Sequence, residues 1–284
     1  DDAWIHQTYG RNLAVRGEWA FLPGQPSAGS TAPVWSALLA MGHWLGLGPH
    51  LWTYFLGGIL LWAVAWAGMR CFGRLSPQHE PSKLWVGLFL LFEWHLVWAA
   101  GSGMETLLFA WLILLTIGIL IPSKPNWLGL GLLIGLSAWV RPDGVTLAGP
   151  AMLVLLVNRQ PGGQQALIKG FAKFAAGFGL CFGWYLLFNR LAAGAWWPNT
   201  YFAKQAEYAV LRTLPYGERL LAQWRLPLVG AGALLLPGYL WFGWQAWRKR
   251  SWPELAALLW PPAYLGLYAW RLPVTYQYGR YAIP

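Results

Sequence analysis

From about residue 50 to residue 270 the chain passes from one apolar run to the next, with few charges between them. The runs fall at about 50–72, 84–100, 103–121, 127–140, 144–157, 170–192, 226–247 and 254–270, against the roughly 20 apolar residues that cross a bilayer core as helix. Within lipid every backbone polar group must be satisfied inside the chain, so this pattern predicts an all-α polytopic membrane protein. Hydrophobic residues make up 57% of the chain and charged residues only 11%, too few to coat a soluble globule of 284 residues. The 23 Trp and 12 Tyr suit a chain with many membrane interfaces, where amphipathic rings settle.

A net charge of +10 raises nucleic acid as a partner, but the Lys and Arg form no stripe interleaved with aromatics on a soluble face. They sit instead in loops and polar segments, which points to membrane orientation and anionic head groups. Arg141-Pro142-Asp143-Gly144 either kinks one helix over 127–157 or separates two. With two, Arg70, Arg74, Lys83, Lys124, Arg159, Lys169 and Arg248-Lys249-Arg250 all share one face, which the positive-inside rule makes cytoplasmic. Two segments are therefore expected. Cys71 and Cys181 lie within or beside apolar runs and indicate neither a disulfide framework nor a zinc site.

Residues 1–33 are polar and loop-like, and they open on adjacent carboxylates, Asp1 and Asp2. Ile5, Tyr9 and Leu13 recur at helical spacing and predict an amphipathic helix along the interface. Gly17, Pro23, Gly24, Pro26 and Gly29 then predict a loop, and residues 34–47 a short interfacial or re-entrant helix. The two-segment topology carries Asp1, Asp2, Glu93, His95, Glu105, Arg141, Asp143, Lys204 and Arg280 toward one side, away from the cytoplasm. Segments 193–225 and 271–284 lie there too. Ionisable groups near a membrane interior are costly unless paired or hydrated, so this one-sidedness predicts a hydrated outward cavity. Glu93 and His95 are two residues apart and would not share a helix face. Arg141 at that depth calls for an anionic partner such as a lipid phosphate, whereas Trp196 and Trp197 alone would pass for an interfacial belt. The chain starts without Met and reads as a single transmembrane domain cut at both ends.

Taken together these residues resemble a family. DDAWIHQTYGRNLAVRGEWAFLPGQPSAGSTAPVW is similar to the first outer loop of bacterial glycosyltransferases of the GT-C fold, a superfamily that includes terminal arabinofuranosyltransferases and protein mannosyltransferases. GSGMET at 101–106, RPDG at 141–144, PNTYFAK at 198–204 and GRY at 279–281 resemble later blocks of the same family, in the same order. Tyr9-Gly10 and Ala28-Gly29 depart from the family's usual Arg-Tyr and Glu-Gly pairs.

The resemblance implies a GT-C-like helix bundle whose first loop carries amphipathic helices, in the cytoplasmic (inner) membrane, with its site on the extracytoplasmic face. It implies transfer of a sugar from a polyprenyl-phosphate carrier to a hydroxyl of a glycan, lipid or protein. Asp1 would then be the general base and Asp2 its orienting partner. Arg141, Lys204 and Arg280 would face the donor phosphate. Glu105 and Asn199, with Trp196, Trp197, Glu93 and His95, would contact sugar or acceptor. No cofactor is assigned, although a divalent ion between Asp1, Asp2 and Glu105 would suit hard oxygen ligands. The competing reading is a transporter or flippase of lipid-linked sugars, against which stands the lack of an internal repeat.

Overall fold

A computed structural model describes residues 2–122, 124–157 and 163–275, with the backbone alone at Asp2 and Ala231. The fold is all-α: apart from one short ribbon, β1 (Ala20–Leu22) with β2 (Gln25–Pro26), every regular element among the described residues is helical. Two helices are long and apolar enough to cross a membrane, α3 (Pro49–Leu75) and α9 (Gly163–Ala193). Bent pairs raise the number to four: residues 77–92 with Trp94–Gly101, and residues 216–228 with 232–249. This is the composition of a membrane protein, with fewer full-length crossings than the eight apolar runs suggested. The runs at 103–121 and 127–140 give only the shorter helices α6 (Thr106–Leu120) and α7 (Trp127–Val140).

The run at 84–100 is broken. α4 (Lys83–Phe92) ends at Glu93, whose extended backbone starts α5 (Trp94–Gly101) at a bend of 51°. Glu93 caps the new helix by accepting from the Leu96 N–H, as an N-cap carboxylate does. The expectation that Glu93 and His95 point apart is thereby corrected: with the helix interrupted between them, His95 Nδ1 lies 2.7 Å from Glu93 Oε1.

Two helical segments, not one kinked helix, occupy 127–157. Arg141 is extended, and the 3-10 turn Pro142–Leu147 folds back so closely that a Cβ on Gly144 would lie 2.4 Å from Ser137 Oγ. After that turn α8 (Ala148–Val157) descends until Leu155 joins Trp127 beside Gly170. α9 then climbs parallel to α7. Gly131 faces Phe174, Gly177 faces Leu128, and a Cβ at either would come within 2.5 Å of a backbone oxygen, so two helices of this length can touch backbone to backbone only because both positions are glycine.

These contacts give the bundle two distinct ends. α3 begins near Gly103, and its last turns meet the end of α6, where Arg74 donates to the Gly118 carbonyl. α12 (Ala231–Lys249) stops in a left-handed residue, Arg250, and α13 (Trp252–Arg271) runs back to meet Asp143. Arg70, Arg74 and Arg248-Lys249-Arg250 thus gather at one end. The start of α6, the end of α7 and the end of α13 meet at the other. Between them the core runs through Leu107, Phe109, Leu130, Ile134, Val154 and Trp260.

The first loop is seated by polar contacts. α1 (Asp2–Arg16) buries Tyr9 of the predicted Ile5, Tyr9, Leu13 stripe, but with it His6 and Asn12, while Ile5 and Leu13 remain half-buried. Those polar side chains have partners: Asn12 donates to the carbonyls of Ala20 and Phe21, and the Tyr9 hydroxyl accepts from the Gly29 N–H at 2.7 Å. Burial of hydrogen-bonded groups outweighs the apolar pattern here. α2 (Pro33–Trp44) packs against α1, with Pro33 in its first turn as expected for a helix start.

Candidate functional site

A cavity of about 370 Å³ opens at the end where α6 begins and α7 and α13 finish. Met104 and Glu105, at the end of the loop 102–105, line it. Gly103 turns that loop with a φ of 76°, a conformation that favours glycine, and its carbonyl accepts from the buried Trp35 indole at 2.9 Å. Glu105 follows, 6% exposed and just ahead of α6.

One Glu105 oxygen, Oε2, is buried without a well-aligned hydrogen-bond partner and lies 3.4 Å from His6 Nε2. Burial works against ionisation of this carboxyl, but His6 and Arg141 outweigh it and hold its pKa down to about 2. His6 is fixed in turn: its Nδ1 is 3.0 Å from Ser30 Oγ, which is 2.9 Å from Ser36 Oγ. The first loop, α2 and Glu105 are therefore one connected unit.

Opposite Glu105 stands Arg141, 5% exposed at the end of α7. It donates to both Asp143 oxygens, at 3.3 and 3.0 Å, and to the hydroxyls of Tyr264 and Tyr268. Both tyrosines also donate to Asp143 Oδ2, Tyr268 at 2.6 Å. Trp260, Tyr264 and Tyr268 recur every fourth residue along α13 and stack in one column. Burial disfavours charge on Arg141, but Asp143 prevails and drives its pKa further above the ordinary guanidinium value. The third wall comes from the segment after α9: Trp197 stacks on Tyr201 and, with Lys204 of α10 (Asn199–Glu207), lines the cavity. Asn199 N–H donates to the Ala28 carbonyl at 3.0 Å and so ties this wall to the first loop. Thr31, Gln205 and Arg271 add to the polar lining, while Leu267, Trp270 and Leu272 make one side apolar.

Of the residues expected at a site, Glu105, Arg141, Lys204 and Trp197 meet here. Trp196 does not line the cavity; it is exposed and lies under the Arg190 guanidinium. Asn199 contributes its backbone N–H, with its side chain outside the lining. Glu93 and His95 pair with each other and stay off the cavity. Asp1 and Arg280 lie outside the described residues, and Asp2 opens α1 by its backbone. Ala3 is placed beside Gly103, where a Cβ on the glycine would come within 3.2 Å, so the start of α1 abuts the loop that carries Glu105.

Sequence reasoning missed His6, Tyr264 and Tyr268. The two tyrosines had a signal, an i, i+4 pair in an otherwise apolar helix; His6 had none beyond being a lone histidine. Compared with protein-family models, curated proteins and solved structures, the chain matches none.

Proposed function

We propose that the chain is a membrane glycosyltransferase that moves a sugar from a polyprenyl-phosphate carrier to an acceptor hydroxyl. One observation carries the reading. GSGMET, RPDG and PNTYFAK are far apart in sequence, yet Glu105, Arg141 and Lys204 from those three blocks line one cavity that also has an apolar side. Three cations (Arg141, Lys204 and Arg271) face two carboxylates (Glu105 and Asp143), an excess that favours an anionic ligand.

In the proposed reaction an acceptor oxygen bonds to the anomeric carbon while the bond from that carbon to the carrier phosphate breaks, its electron pair leaving with the phosphate. The acceptor proton passes to a carboxylate, for which Asp1 is proposed with Asp2 beside it. Charge developing on the phosphate is met by Lys204 and Arg271, and by Arg141 held in place by Asp143 and the two tyrosines. Glu105 lines the cavity, and a carboxylate there is suited to receive a sugar or acceptor hydroxyl. The site is proposed to face away from the cytoplasm, since the basic residues at the opposite end of the bundle match the positive-inside rule.

The test is transfer of radiolabel from a polyprenyl-phosphate sugar to a hydroxyl acceptor by the purified chain. Asp1→Asn is expected to lower it by about 10²–10⁴-fold. Undiminished transfer by that variant would remove Asp1 from the role, and carrier movement across vesicles without any transfer would favour the flippase.

A further inference from the structure

A second cavity, of about 450 Å³, lies between α3, α6 and α7 at the basic end of the bundle, with Cys181 of α9 at its far side. Its walls are almost wholly apolar, with Leu114, Leu133 and Leu136 facing Trp66. Only at one end do charges enter, as Arg70 and Arg74 one helical turn apart on α3. Both guanidinium groups are oriented by the protein. Arg70 sits 4.2 Å over the Trp66 ring, and Arg74 Nη1 donates to the Gly118 carbonyl at 2.5 Å. Neither arginine has a carboxylate partner in an ion pair among the described residues. Trp66, 40% exposed, and Leu136, 39% exposed, form its lips.

We infer that this cleft binds an anionic phospholipid, its acyl chain laid along the leucines and its phosphate between Arg70 and Arg74. Charge complementarity and shape decide the occupant together. A neutral lipid would leave two oriented cations unanswered, and a soluble anion would leave the apolar walls unused. The site is separate from the cavity that holds Glu105 and Arg141 and does not depend on what that cavity does.

The experiment is native mass spectrometry of the full chain extracted from vesicles of equal parts phosphatidylglycerol and phosphatidylcholine with the same acyl chains. One phosphatidylglycerol is expected to stay bound in preference to phosphatidylcholine. R70Q/R74Q should cut that retention about tenfold, whereas R70K/R74K should keep most of it. K249Q/R250Q, which removes charges at the same end but away from the cleft, should leave it unchanged. Equal retention of both lipids, equal losses in R70Q/R74Q and K249Q/R250Q, or full displacement by millimolar inorganic phosphate would each overturn the assignment. Should R70Q/R74Q fail to fold, the single variants R70Q and R74Q are each expected to lower the lipid preference where K249Q/R250Q does not, and equal preference in all three would overturn the assignment.

Discussion

The two ends of this bundle both gather arginines, yet they use them differently. At the basic end Arg70 and Arg74 are exposed and held by a ring face and a backbone carbonyl. At the cavity end Arg141 is buried, engages a carboxylate with two nitrogens and shares that carboxylate with two tyrosine hydroxyls. The first arrangement leaves charge available to the membrane surface; the second makes a charge part of the core. Partner chemistry, more than the number of charges, separates a buried arginine from an exposed one.

The sharpest way to break this contrast is to remove one partner at each end. Arg141→Leu strands the Asp143 carboxylate in a mostly buried setting and is expected to cost about 3–5 kcal/mol, read as a large fall in the unfolding midpoint in detergent. Tyr268→Phe takes away a single donor from Asp143 and should cost about 1–3 kcal/mol by the same measurement. Gly103→Ala forces a side chain onto a positive φ and against Ala3, with an expected loss of about 1 kcal/mol or more. Arg74→Gln, at the exposed end, should stay within about 0.5 kcal/mol. Were Arg74→Gln to match Arg141→Leu, the distinction between the ends would fall.

A pH titration sharpens the same comparison. The Glu105 carboxyl is held at about 2, below its ordinary value of 4.5, so its contribution to stability is complete above 4.5 and is lost as pH falls through 2. Glu105→Gln should flatten that acid limb of the stability curve, and R70Q/R74Q should leave it intact.

Much of this architecture was legible in the amino-acid pattern. The break at Arg141-Pro142 and the gathering of basic residues at one end follow from helix-breaking residues and charge placement, both of them local. Glu105, Arg141 and Lys204 were legible as cavity-lining residues because a costly charge near an apolar run needs a reason. The inward face of α1 was legible only at Tyr9, because Ile5 and Leu13 supply the stronger apolar rhythm, while the partners that let His6 and Asn12 turn inward lie in residues 20–36. Glu93 with His95 failed for a related reason: helical spacing holds only while the helix continues, and the break falls at Glu93 itself. Fewer helices are long and apolar enough to cross a membrane than the apolar runs suggested, because apolarity marks burial against protein as readily as contact with lipid, and the shorter α6 and α7 are lined with buried residues.

The polar seating of α1 has a consequence for how the first loop is held down. Apolar docking is non-directional, whereas the His6, Tyr9 and Asn12 contacts each need a particular partner in place. His6, Tyr9 and Asn12 are themselves buried, so leaving any of these bonds unmade costs more than it would at the surface, and the loop is held all or none.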